Sequence, residues 1–151
     1  MATLIDGKEL AQRLKNKLRA RIEIVQRSHP NFRPGLAIVQ VGNRPDSIVY
    51  IRHKVKAAEE IGVHVSVVKL PKSVDRDTMI DEIKFLNCDT SIHGIVVQLP
   101  LETCQPIDAE TVLNTTKPAK YVNRLTILNA GRLARGDLVD AVMFEGYMRT
   151  R

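Results

Sequence analysis

A chain of 151 residues with 44% apolar and 26% charged side chains is sized and composed for one globular domain, not for a disordered or fibrous protein. Its net charge of +6 would attract anionic small molecules or nucleic acid, but Lys15, Lys17, Arg19, Arg21, Lys54, Lys56, Arg132 and Arg135 are dispersed, and three Tyr, three Phe and no Trp leave little to stack on bases, so nucleic acid is the weaker inference and no nucleic-acid partner is expected. No apolar run is long enough to span a membrane, and Cys88 and Cys104, far apart and outside any Cys-x-x-Cys spacing, argue against a metal site or a disulfide framework and for a reduced, cytoplasmic protein.

Asp6-Gly7-Lys8-Glu9 reads as a helix start, with Asp6 as N-cap and Glu9 closing a capping box. Leu10, Leu14, Leu18, Ile22 and Val25 follow at helical spacing, so a helix over 6–28 should bury that stripe before His29-Pro30 ends it. Gly35 to Val41 is a continuous apolar run, as in a strand buried on both faces. Gly42-Asn43-Arg44-Pro45 is a turn, after which Asp46 or Ser47 can cap a helix over 46–61 with Ile48, Ile51, Val55 and Ala58 inward and Gly62 as its terminator. A second strand is predicted over 63–70 and a third helix over 75–86, buried through Met79, Ile80, Ile83 and Leu86. A third strand over 94–99 and a short helix over 107–113 complete the regular pattern. Beyond Pro118 the pattern weakens to a loop, with a short strand over 125–128 and a helix near 139–147. The N-terminal MATLIDGKEL carries no signal or transit pattern.

The alternation of buried runs with amphipathic helices predicts right-handed βαβ crossovers and an α/β domain of three layers, a mostly parallel sheet flanked by helices. Ligands of such sheets bind beyond the carboxyl ends of the strands. The segments leaving the first and third strands, after Val41 and at Gln98, lie there. Tyr50 and Lys54 are spaced i, i+4, on a stripe that flanks the buried one. Spacing alone fits a surface lysine lying along a tyrosine; in a partly desolvated cleft the same lysine would have a lowered pKa and could shuttle protons. Gln98 ends an apolar strand just before Pro100 and could hold that ammonium or a substrate carbonyl, or simply face water. The stretch 129–137 (NAGRLARGD) does not fit the dinucleotide-binding glycine fingerprint.

Taken in order, Tyr50-Ile51-Arg52-His53-Lys54, AAEEIG at 57–62, His93-Gly94-Ile95-Val96-Val97-Gln98-Leu99-Pro100-Leu101 and Asn129-Ala130-Gly131-Arg132-Leu133 resemble the catalytic domain of the bifunctional methylenetetrahydrofolate dehydrogenase/cyclohydrolase family. The resemblance runs from Ile5 to about Asp140 within a single unit of residues 1–151, leaving 141–151 as a divergent tail. It implies a role in one-carbon folate metabolism, with tetrahydrofolate derivatives at the methylene, methenyl or formyl level as ligands. By the same resemblance Tyr50 stacks on the folate, Lys54 is the catalytic proton carrier and Gln98 holds and tunes it. Ser47 and the turn before it frame the site, and Pro100 shapes the pterin pocket. Where the family reads Lys-Asp-Val-Asp-Gly, with the second Asp on the pterin, this chain reads Lys120-Tyr121-Val122-Asn123-Arg124. Asn123 presents an NH₂ where a carboxylate would accept two N–H bonds, Tyr121 removes a further polar group and Arg124 replaces a glycine. NAD(P) is implied for the full-length family. The chain alone is expected to bind no cofactor, because the family's second, nicotinamide-binding Rossmann domain is expected to be absent, leaving apolar surface for a homodimer or partner chain. Cyclohydrolase is then the more plausible residual activity. The alternative is a non-catalytic truncated relative that binds folate weakly or binds a partner.

Overall fold

A computed structural model describes residues 6–123 of the chain. Its elements follow the order α1 (Gly7–Ser28), β1 (Gly35–Val41), α2 (Pro45–Glu59), β2 (His64–Leu70), α3 (Arg76–Cys88), β3 (Gly94–Val97) and α4 (Ala109–Thr115). The three strands form one parallel sheet in the order β2-β1-β3. β1 pairs from Gly35↔His64 to Val41↔Leu70 on one side and from Leu36↔Gly94 to Val39↔Val97 on the other. β2 and β3 therefore flank β1 and do not pair with each other. The most continuous apolar run takes the centre, where Ala37, Ile38 and Val39 are fully buried.

Helices cover both faces, giving three layers. Ala37, Val39, Val41, Ile95 and Val97 point to one side, onto Met79, Ile83 and Leu86 of α3 and Val112 and Leu113 of α4. Ile38 and Val96 point to the other, onto Ile51 of α2. The helix α1 departs from expectation: its stripe of Leu10, Leu14, Leu18, Ile22 and Val25 contains no buried residue, and Leu18 and Val25 are 43% and 42% exposed. The periodicity found the helix but not its depth. Polar contacts tie α1 to the rest of the chain at its flank, where Lys15 Nζ sits 2.6 Å from Glu60 Oε2 and the Arg19 guanidinium donates to the Glu60 carbonyl, and near its end, where Gln26 Nε2 donates to the Phe32 carbonyl at 2.9 Å.

Side-chain caps set most helix starts. Asp6 accepts the Lys8 and Glu9 N–H groups at 2.8 and 3.2 Å, one half of the expected capping box, and the Glu9 carboxylate lies 4.0 Å from Arg13. Asp75 accepts from Thr78, and Asp108 from Glu110 and Thr111, which places the start of α4 at Ala109 rather than 107. Neither Asp46 nor Ser47 caps α2. Arg44 is its N-cap and makes no side-chain capping bond, and Pro45 opens the helix. Proline has no N–H to satisfy there, and its fixed φ suits a first turn. Asp46 instead accepts the Arg44 guanidinium and the Ser47 N–H.

The segment after Pro118 is more ordered than the loop predicted for it. Ile95 N–H donates to the Lys120 carbonyl at 2.6 Å and Val122 N–H to the Ile95 carbonyl at 3.1 Å, so Tyr121 forms a parallel bridge alongside β3. Lys120 Nζ donates to the carbonyls of Leu86 and Asp89 at the end of α3, and Asn87 bonds both the Thr115 carbonyl and the Lys117 N–H. Running parallel to β3, this strap carries Asn123 toward the carboxyl ends of the strands. The strand expected over 125–128 and the helix near 139–147 lie outside the described residues.

Candidate functional site

The carboxyl ends of β1 and β3 lead into the two segments that carry the candidate residues. After β1 the chain turns at Gly42, with φ of 73°, and enters α2. After β3 the Gln98 N–H still bonds the Val39 carbonyl at 2.9 Å, which seats Gln98 beside the end of β1. Lys54 Nζ donates to Gln98 Oε1 at 2.8 Å across 44 residues of sequence. The Gln98 Nε2 donates to the Leu99 carbonyl at 2.7 Å. Both ends of the amide are thus used, and its oxygen is the end turned to the lysine. Lys54 is half-buried, and loss of hydration pushes its ammonium below the ordinary value of 10.5.

The other predicted residues are distributed around that pair. Tyr50 lies one turn before Lys54 on α2 and is 65% exposed, its ring open to solvent. Ser47 is buried in the first turn of α2. Pro100 is exposed and follows a cis Leu99–Pro100 peptide on the loop leaving Gln98. Asn123 is half-buried at the end of the strap. Tyr121, read as a lost polar group beside the ligand, is instead core: it is 2% exposed and packs with Ile95 and Val97. Tyr121 is the bridge residue beside Ile95, while Val122 and Asn123 already lie in the bend that follows it. Burial pushes the Tyr121 phenol above its ordinary 10.0, and its hydroxyl has no hydrogen-bond partner among the described residues. Arg124 and the stretch 129–137 lie outside the described residues.

Sequence reading missed Glu102. Its carboxylate accepts the Asn43 N–H at 2.8 Å and lies 2.7 Å from Lys72 Nζ. Neither partner stands at a spacing that would have signalled it. Among the described residues there is no cluster of three or more His, Cys, Asp or Glu side chains able to hold a metal ion. Chemically, then, the site offers a lysine with lowered basicity, held by a neutral amide at the end of a parallel sheet. Such a group can exchange a proton with a bound substrate or water.

The sequence model of the tetrahydrofolate dehydrogenase/cyclohydrolase catalytic domain matches residues 5–123. The chain belongs to the tetrahydrofolate dehydrogenase/cyclohydrolase family. It is 44% identical over 139 residues to the cytoplasmic C-1-tetrahydrofolate synthase of Homo sapiens, covering 92% of this chain and 15% of that protein. Over 137 residues it is 40% identical to the bifunctional protein FolD of a Wolbachia species, covering 91% of this chain and 46% of FolD. Among solved structures, the methylenetetrahydrofolate dehydrogenase-cyclohydrolase (FolD) of Trypanosoma brucei, complexed with NADP cofactor and inhibitor, superposes with a TM-score of 0.83 at 34% identity. That match covers 91% of this chain and 46% of the other. The Campylobacter jejuni enzyme gives 0.80 at 32% identity, over 89% of this chain and 46% of that one. The chain thus spans about half the length of its FolD relatives and matches their catalytic domain. No helix among the described residues is long and apolar enough to cross a membrane.

Proposed function

We propose that this chain forms, as one unit over residues 1–151, a folate-binding domain of one-carbon metabolism whose activity is hydrolysis of a methenyl-tetrahydrofolate. The observation that carries the reading is the Lys54–Gln98 hydrogen bond in a partly desolvated site. Hydrolysis needs no redox partner. Water adds to the cationic methenyl carbon and loses a proton, giving a neutral carbinolamine; the remaining hydroxyl proton then leaves as the formyl carbonyl forms, the carbon–nitrogen bond to one nitrogen breaks, the formyl group stays on the other, and the departing nitrogen takes up a proton, so that one proton is released overall. Lys54 serves as the carrier in both transfers, with Gln98 keeping it oriented and the Tyr50 ring stacking on the folate. Ser47 and Pro100 border the pocket, and Asn123 meets the pterin edge.

Dehydrogenation requires a nicotinamide cofactor, and we assign this chain alone no NAD or NADP site because its glycines do not form a dinucleotide fingerprint. We assign it to the cytoplasm, in line with the names of its synthase relatives. One observation favours a second reading, a non-catalytic domain that binds folate weakly or acts on a partner chain: Asn123 stands where the family motif has aspartate. Loss of methenyl-folate absorbance separates the two. Under saturating substrate the wild-type chain should accelerate hydrolysis, and Lys54→Ala should abolish that acceleration while keeping the wild-type circular dichroism spectrum. No acceleration by the wild-type chain, or full activity in Lys54→Ala, would refute the hydrolytic reading.

A further inference from the structure

Lys54 and Gln98 arrive from segments far apart in the chain: Lys54 lies within α2, which the turn at Gly42–Arg44 precedes, and Gln98 opens the irregular connection after β3. A side-chain hydrogen bond of 2.8 Å tolerates only a few tenths of an ångström of slack between them. Glu102 joins the two segments. Its Oε2 accepts the Asn43 N–H at 2.8 Å in the turn after β1, while its Oε1 lies 2.7 Å from Lys72 Nζ just past β2. The Lys72 carbonyl in turn accepts the Cys104 N–H at 2.8 Å, from the loop that carries Glu102 itself.

One carboxylate therefore ties together the exits of all three strands. Its fit is close: a Cβ at residue 42 would lie 2.3 Å from Glu102 Oε2 and 2.7 Å from its Cβ, so Glu102 fills the space that the glycine leaves. Lys72, and after it the Asn43 N–H, hold its carboxyl below the usual range, so it is ionised at neutral pH. An exposed ion pair alone would do little. Here the side chain is 28% exposed, and the contact with the backbone N–H of the turn is what links the loop to α2.

We propose that Glu102 is a positioning residue of this site: by tying the turn before α2 to the loop after β3, it sets the Lys54–Gln98 contact on which the hydrolytic reading rests. The test is Lys54 titration in the intact chain without folate, followed by NMR with labelled lysine and with Lys54→Met to assign the signal. In Glu102→Ala the loop should loosen, water should reach Lys54, and its midpoint should rise toward that of an ordinary lysine. Glu102→Gln keeps the shape and an acceptor for Asn43, so its midpoint should stay nearer the wild type. A merely structural role would lower the melting temperature and leave the Lys54 midpoint in place. An unmoved midpoint with unmoved Gln98 side-chain amide signals in Glu102→Ala overturns the assignment. Should that variant fail to fold, Lys72→Met takes its place: a smaller rise supports the assignment and none overturns it. No turnover enters this measurement, so a wild-type chain that hydrolyses nothing would sink the proposed function and leave the role of Glu102 standing.

Discussion

At the scale of single residues, Asn123 and Tyr121 separate what the altered motif does to binding from what it does to packing. Asn123 is half-buried at the end of the strap, and an amide offers the pterin edge one acceptor and one donor where a carboxylate offers acceptors only. A charged hydrogen bond contributes about 1.5–3 kcal/mol, equivalent to about one or two powers of ten in affinity. Asn123→Asp with Arg124→Gly should therefore tighten folate binding by at least about tenfold, appearing in hydrolysis as a lower KM with a smaller change in kcat. Calorimetric titration with a reduced folate checks this, and an unchanged Kd removes Asn123 from the pocket. Tyr121 is a separate matter. Among the described residues its hydroxyl is buried without a partner, and such a group costs about 1–3 kcal/mol. Tyr121→Phe should raise stability by about 1 kcal/mol in urea unfolding and leave folate affinity as it was. A destabilised variant would show that the hydroxyl has a partner after all.

At the scale of elements, the turn between β1 and α2 concentrates the constraints. Gly42 has φ of 73° and faces the Glu102 side chain. A β-carbon there would be strained by the backbone angle and would also displace the carboxylate that accepts the Asn43 N–H. Gly42→Ala should cost about 1–3 kcal/mol in urea unfolding. If Glu102 positions the site, it should also move the Lys54 titration midpoint upward, as expected of Glu102→Ala. Stability within about 0.5 kcal/mol of wild type would mean the turn accommodates the methyl by shifting as a unit. The helix α1 shows the opposite situation. Asp6 caps it firmly, yet its apolar stripe stays partly open, so its register is set locally and its packing is not.

At the scale of the whole molecule, the sheet order β2-β1-β3 places the exits of β1 and β3 side by side, and that adjacency is what lets α2 and the β3 exit share one site. A ligand held between them should stabilise the entire domain, because binding to the folded state alone adds RT ln(1 + [L]/Kd). A reduced folate at 100 Kd should add about 2.7 kcal/mol and raise the melting temperature accordingly, whereas NADP alone at the same concentration should leave it unmoved. A shift with NADP and none with folate would reverse the assignment of this surface.

Local physics made much of this molecule legible in the amino-acid sequence. Periodicity placed α1, α2 and α3 to within a residue or two, and the uniformly apolar run at Gly35–Val41 marked the central strand. Spacing alone fitted Lys54 and Gln98 as surface residues, and it was the ordered motifs of the family resemblance that singled them out. The resemblance of the ordered motifs named the family before any geometry was available. Tertiary structure alone decided the rest. Capping of α2 went to Arg44 and Pro45 through the shape of the turn, Tyr121 went inward because the strap pairs with Ile95, and Glu102 found Asn43 across 59 residues. Contacts between residues near in sequence follow from backbone geometry, which the local composition encodes. Contacts across dozens of residues depend on which strand lies beside which, and no local pattern carries that information.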